Sequence, residues 1–292
     1  MASMREIKRR KGSIQSTAQI TKAMKLVSTV KLQKCKTRAE NSKPYFDKMY
    51  ETVSSILAKS GNVVHPYLTP GASDKKAVIM ITSNRGLAGG YNSNVTKLVT
   101  HGDIPKEDIV LYTVGRKGRD TLARRGYEVK EDFSDMIEDP AYRDAQTIGK
   151  TVLEAYKDGE IGEIYLAYTF FKNTVTHIPT FMKLLPVENS GSGQGFEAEP
   201  SESKQSLIPM NFEPEAEEAL DLLIPKYICS LIYGALTESV ASENGARMQA
   251  MDNATSNAEE MIDKLTLSYN RARQGAITQE ITEIVSGAEA LA

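Results

Sequence analysis

Residues 254–292 read "ATSNAEEMIDKLTLSYNRARQGAITQEITEIVSGAEALA". Ala254, Ala258, Met261, Leu265, Ser268 and Ala272 step by four and three, the spacing of a coiled-coil seam. Several of these residues are Ala or Ser, so a partner helix can approach closely. The apolar pattern continues through Ile277, Ile281, Ile284 and Ala288. The charge does not: after Arg273 there is no Lys or Arg, while Glu280, Glu283 and Glu289 remain. A helix C-terminus carries partial negative charge and prefers cations, so this end is poorly matched to its own dipole. Its apolar stripe needs something to receive it.

Toward the N-terminus, Ile228, Leu231 and Ala235 keep helical spacing. Pro225 fits the first turn of a long helix, and "EPEAEEALDLLI" (213–224) fits a short helix before it. Some sixty residues of helix make a rod of roughly 90 Å, longer than a compact domain of this size needs. The other end of the chain is similar. From about Ser3 to Ala58 the apolar residues Met4, Ile7, Ile14, Ala18, Ile20, Ala23, Met24, Val27 and Val30 trace one helical stripe, and Pro44 is expected to kink or restart that helix. Residues 1–38 carry eleven Lys and Arg against Glu6 alone, whereas the whole chain of 292 residues has a net charge of -2. The molecule is bipolar. The simplest arrangement pairs the two rods antiparallel, so that opposite dipoles and opposite charges offset.

Between the rods the pattern changes. "KAVIMITS" (76–83) and "DIVLYTVG" (108–115) are continuous apolar runs, as in strands buried on both faces, and "EIYLAYTFF" (163–171) and "THIPTFMKLLP" (176–186) follow. Helical stretches at 91–100, 115–126 and 141–158 alternate with them, which predicts a parallel α/β sheet. "ENSGSGQGFEAEPSESKQ" (188–205) has the composition of a flexible surface loop. The expected fold is therefore α/β: a long antiparallel coiled coil of N- and C-terminal helices plus a central Rossmann-like parallel-sheet domain. Its parts are 1–60, 75–212 and 213–292.

Little chemistry stands out. No apolar run is read as long enough to span a bilayer. The two cysteines, Cys35 and Cys229, are read as reduced thiols. His65, His101 and His177 are isolated, so neither a zinc cluster nor a catalytic triad can be assembled, and no metal or cofactor is expected. "TSNRGLAGGYNSN" (82–94) lies between a strand and a helix, where a Gly-rich loop can cradle phosphate, yet it matches neither G-x-G-x-x-G nor the P-loop. A nucleotide-binding α/β enzyme is the alternative it leaves open. "GRKGRDTLARRG" reads as the solvated face of a helix. The basic N-terminal stripe leaves a nucleic-acid-binding coiled coil, held through phosphates, as a second alternative, and its lack of interleaved aromatics before Tyr45 weakens a single-strand reading. The residues alone point to a mechanical or scaffolding protein with an acidic partner.

Three segments carry a specific resemblance. "IQSTAQITKAMKLVSTVKL" (14–32), "ITSNRGLAGGYN" (81–92) and the run from Glu243 to Leu291, with Ile277, Thr278, Glu280, Glu283, Gly287 and Ala288 in its terminal motif, resemble the γ-subunit family of F-type ATP synthases, the rotating central shafts. The resemblance spans essentially the whole chain. It implies a non-catalytic subunit with no cofactor, whose coiled coil sits inside a ring of three α and three β subunits. The apolar tip would lie in a sleeve at the top of that ring, and the middle domain below it on the ε subunit and the c-ring. Met24 would face an acidic lever of the β subunits, and Lys25 stands where the family pattern has Glu. Arg247, Gln274, Thr278 and Glu280 match the family's C-terminal contact positions. No nucleic acid is expected, and membrane association would come through the complex only. The basic amphipathic start superficially resembles a mitochondrial transit peptide. Its helical pattern runs on without a cleavage-like break, which favours a bacterial protein at the cytoplasmic face of the membrane. Without the chloroplast form's regulatory dithiol insertion, no thiol switch is expected.

Overall fold

The computed structural model describes residues 4–59, 65–187 and 216–291. The acidic stretch 188–205 lies outside the described residues. In chain order the elements are α1 (Met4–Lys59), β1 (Lys76–Ile81), α2 (Tyr91–Thr100), β2 (Ile109–Val114), α3 (Arg116–Arg124), β3 (Glu128–Asp132), α4 (Tyr142–Lys157), β4 (Glu163–Phe171), β5 (His177–Leu185) and α5 (Ala216–Leu291). Their contacts form two units, one of residues 29–246 and one combining the first 28 residues with residues 247–292.

The larger unit is built on a five-stranded sheet in the order β3-β2-β1-β4-β5. β1 pairs in parallel with both β2 and β4, and β2 with β3. β5 runs antiparallel to β4 as the return strand of a hairpin, with Ala167 opposite Phe181. The antiparallel edge departs from an all-parallel expectation because only a few residues join β4 to β5, too few for a crossover. β3 is absent from the sequence reading. Its "EVKED" is almost wholly exposed, so it carries none of the apolar signal by which strands are recognised.

The apolar runs of β1 and β2 are buried on both faces, as expected of inner parallel strands. Ala77, Ile79 and Ile81 face a core with Ile148 and Val152 of α4, Val53 and Ile56 of α1, and Ile224, Ile228, Ile232 and Leu236 of α5. Val78 and Met80 point the other way, toward Val95 and Val99 of α2 and Leu122 of α3. The alternation is the period of two that a strand imposes.

Both long helices run through their prolines. α1 contains Pro44 and α5 contains Pro225 in their interiors, so Pro225 does not open a new helix. An interior proline costs about 3 kcal/mol. Leu220, Ile224, Ile228 and Ile232, on both sides of Pro225, are essentially fully buried. Each contributes about 1.5–3 kcal/mol, so their burial outweighs the lost hydrogen bond. The same residues correct the reading that nothing is apolar enough to cross a bilayer. Within Glu218–Ala288 lies an 18-residue window of mean hydropathy 1.4, half of it buried inside the protein. A core helix of a soluble fold passes that test.

β4 outruns β1, which pairs with it only as far as Ala167. Hydroxyls of α5 serve the strand edge beyond: Thr169 donates its amide to Ser239 Oγ at 3.3 Å, and Ser242 Oγ donates to the Thr169 carbonyl at 3.3 Å. Close approach is also required at Gly245, where a Cβ would lie 2.6 Å from His177 Nε2. His177 is packed against Phe171, and burial pushes its imidazole pKa down. His65 is buried rather than loop-exposed, its Nδ1 accepting the Tyr67 amide and its Nε2 lying 3.3 Å from Asp221.

Two outcomes follow for the purified chain. Gly115 sits at φ 118°, and a Cβ there would lie 2.0 Å from the Thr82 carbonyl oxygen. Gly115→Ala should therefore cost about 2–4 kcal/mol in denaturant unfolding. The folded state resists protonating His177, so below the ordinary imidazole value of about 6.5 the unfolded chain binds the proton first. The contribution of neutral His177 is complete above that pH and declines as pH falls toward the folded pKa. His177→Phe should flatten this part of a stability–pH curve.

Candidate functional site: the terminal helical pair

The smaller unit contains the start of α1, through Ser28, and α5 from Arg247 onward. Two polar contacts set its geometry. Thr21 Oγ1 and Thr255 Oγ1 are 2.7 Å apart, and Lys25 Nζ donates to Asp252 Oδ1 at 2.6 Å. A higher number on α1 meets a lower one on α5, so the helices are antiparallel. Extending that register puts Ala18 level with Ala258, Ile14 with Ile262, Lys11 with Leu265 and Ile7 with Tyr269. All eight are buried or half-buried.

The observed seam on α5 is thus Met251, Thr255, Ala258, Ile262, Leu265, Tyr269, Ala272 and Ala276, in alternating steps of four and three. Ala258, Leu265 and Ala272 were legible from sequence. Met261 and Ser268 are exposed, and their neighbours Ile262 and Tyr269 take their places. On α1 the seam is Ile7, Lys11, Ile14, Ala18, Thr21, Lys25 and Ser28. Ile20 and Val27 of the sequence stripe fall outside the seam, although Met24 between them is half-buried: they are about three-fifths exposed, at 60% and 58%. Hydrophobicity misled there because the seam uses Thr21 and Ser28; the Thr21 hydroxyl donates to the Ala18 carbonyl along the helix or meets Thr255 Oγ1 across the seam. The 4-3 spacing of these small residues is the signal that could have found them.

The expected contact residues fall into two groups. Met24, Lys25 and Arg247 are half-buried and lie close in level along the pair. Lys25 is engaged within the chain by Asp252, which accounts for a lysine at this position. Gln274, Thr278 and Glu280 are exposed and sit more than twenty residues further along α5, roughly 33 Å or more from the level of Asp252. Thr278 Oγ1 donates back to the Gln274 carbonyl at 2.9 Å. Glu280 is two residues beyond Thr278, on a different side of the helix.

Met4, the first helical residue of α1, falls level with Ala272. α5 continues to Leu291, an overhang of nineteen residues or roughly 28 Å. Along it Ile277, Ile281, Ile284 and Val285 are exposed, Ile284 at 72%. No basic residue lies in the last turn. A single helix presenting four large aliphatic side chains to water is an interaction surface.

The turn after β1 is committed to the protein's own packing. Asn84 Oδ1 accepts the Arg116 amide at 3.0 Å, the Ser83 carbonyl accepts the Lys117 amide at 3.0 Å, and Thr82 Oγ1 accepts the Gly118 amide at 3.0 Å. The N-terminus of α3 is therefore filled from within. Arg116 pairs with Asp135 at 3.0 Å, and Arg119 with Asp132 at 2.6 Å and Asp120 at 2.9 Å. Burial opposes ionisation of Asp132, but hydrogen bonds from Ser134, Arg119 and Thr113 outweigh it and hold the carboxyl below its usual range. Two arginines of the basic run are thus held in ion pairs, and Arg124 Nε donates to the Asp120 carbonyl at 3.0 Å. Cys35 and Cys229 are free thiols, and burial pushes the pKa of each up, away from the thiolate form.

With this geometry in view, the chain can be set beside known proteins. Residues 3–291 match the ATP synthase family. The chain belongs to that family. It is 66% identical over 292 residues to the ATP synthase gamma chain of Lachnoclostridium phytofermentans, covering all of both chains. Among solved structures it is similar to the central stalk/c-ring of the Tetrahymena thermophila mitochondrial ATP synthase, with 25% identity and a TM-score of 0.58 over 80% of this chain and 99% of that one. A chain of the Euglena gracilis mitochondrial ATP synthase OSCP/F1/c-ring structure shares the fold, with a TM-score of 0.69 at 18% identity over 99% and 94% of the two chains.

The overhang yields a direct check on this family member. Ile281→Asp and Ile284→Asp replace exposed residues that pack on nothing within the described chain. Circular dichroism and unfolding of the isolated protein should change by no more than about 0.5 kcal/mol.

Proposed function

We propose that this chain is the γ subunit of an F-type ATP synthase, the central rotor shaft that couples ion-driven c-ring rotation to ATP formation on the β subunits. The observation that carries the reading is the unequal helical pair. α5 outruns α1 by about five turns and bares an apolar stripe that a surrounding sleeve of α and β subunits would cover. An unequal pair is not three-fold symmetric, so three sites around it meet three different faces. Each is biased toward a different conformation, and turning the shaft exchanges the biases. The shaft breaks no bond. It transmits a coupling free energy between two distant sites, so the chain is a non-catalytic subunit.

In this reading residues 1–60 and 213–292 are the coil, and 75–212 is the domain that meets the ε subunit and the c-ring. Met24 and Lys25 with Arg247 form the contact region facing an acidic lever of the β subunits. Gln274, Thr278 and Glu280 contact the sleeve. The chain sits peripherally at the cytoplasmic face of the membrane and is held there by the complex.

The test is purification through a tag on this chain from native membranes in mild detergent. Co-purification of α and β subunits with ATPase activity, absent from the chain alone, supports the reading; recovery of the chain alone or with unrelated partners contradicts it. In the assembled enzyme Met24→Lys adds a second cation beside Lys25. The expected result is over-stabilisation of one rotary position, with coupled ATP synthesis reduced about tenfold for each 1.4 kcal/mol gained there. Unchanged synthesis would remove Met24 from the lever contact.

A further inference from the structure

The middle of the coil raises a mechanical problem that rests on the shaft reading. At its outer end the seam pairs Ile14 with Ile262 and Ile7 with Tyr269, large side chains that interlock. Between Ala18 and Ser28 the seam on α1 is Ala18, Thr21, Lys25 and Ser28. Across it stand Ala258, Thr255, Met251 and Met248. Alanine and serine present no knobs, and methionine is flexible and specifies position poorly. This stretch can close tightly, but apolar packing gives it little resistance to one helix sliding along the other. A sliding load is what a shaft under torque experiences.

We infer that Thr21–Thr255 and Lys25–Asp252 form a slip lock that holds α1 and α5 in register through this stretch. Thr21 is 8% exposed and lies on the seam itself. The 2.7 Å hydroxyl contact is satisfied only in this register. Moving α5 by one heptad sets Thr21 against Met248 or Ile262, and its hydroxyl loses its partner across the seam. A polar residue at one seam position is an effective way to select coiled-coil register. The ion pair lies one turn away on both helices, at 2.6 Å, with its side chains 38% and 54% exposed. Exposure keeps its contribution to stability small, yet a shift of one turn along α5 breaks the pair. The two contacts, one turn apart, specify the same register and reject sliding in both directions. Lys25 and Asp252 are thus positioning residues, acting by keeping Met24 and the α5 overhang at a fixed level.

The experiment uses the assembled complex with Ala18→Cys and Ala258→Cys, which are level in the observed register. Ala18→Cys with Leu265→Cys and Ala18→Cys with Met251→Cys report displacement by one heptad in either direction. Each pair is oxidised in the unaltered background, with Lys25→Glu, with Asp252→Lys and with the exchanged double variant Lys25→Glu/Asp252→Lys, during ATP turnover. The expected result is a cross-link at the level pair in the unaltered protein. Each single reversal should lower its yield about three- to tenfold, with gain at a displaced pair, and the exchange should restore it to within about twofold. Cross-link yield alone reads the register, because Lys25→Glu also changes the charge offered to the lever contact. Unchanged yields in both single variants, or no recovery in the exchange, would overturn the lock. If the cross-links follow the expected order but the chain carries no α or β subunits, the lock stands and the shaft reading fails.

Discussion

The hydroxyls of Thr21 and Thr255 meet 2.7 Å apart at a point where two helices touch through small side chains. That contact and the Lys25–Asp252 pair fix which residue of α1 lies beside which residue of α5. The rest of the terminal unit depends on this register: the isoleucine and tyrosine layers further out, the level of Met24, and the length of α5 left without a partner. A narrow seam also explains the sequence composition. Alanine and serine there let the helices approach closely, and the accompanying loss of apolar burial leaves specificity to polar groups.

The sheet unit solves a different problem. Five strands with helices on both faces bury nearly every apolar side chain of β1 and β2, and α5 supplies much of one covering layer through Ile224, Ile228, Ile232 and Leu236. That burial is large enough to hold Pro225 inside a continuous helix. The same helix closes the edge of β4 with Ser239 and Ser242, so its hydroxyls replace the hydrogen bonds of a missing strand.

Much of this was legible in the sequence, for identifiable reasons. The strands β1, β2 and β4 announce themselves because burial on both faces demands unbroken apolar runs. The long terminal helices follow from periodicity, and Ala258, Leu265 and Ala272 were found by spacing alone. The failures share a cause. β3 is charged because it is an exposed edge. Thr21, Lys25 and Ser28 are seam residues that hydropathy assigns to the surface, while Ile20 and Val27 are apolar residues that the isolated chain leaves exposed. Hydrophobic pattern reports what is buried in the working assembly as well as in the monomer, so it mixes the two where a helix serves both. The polar pairs could not be read at all, since neither a threonine nor a lysine reveals its partner more than two hundred residues away.

A chain that works as a shaft must turn within the α–β ring as ATP is hydrolysed. The most direct measurement fixes the purified α–β complex to a surface, attaches a bead to the sheet domain of this chain and follows the bead as ATP is hydrolysed. Continuous rotation in one direction, stopping when ATP is exhausted, is the predicted result. Sustained hydrolysis with the bead stationary would contradict it.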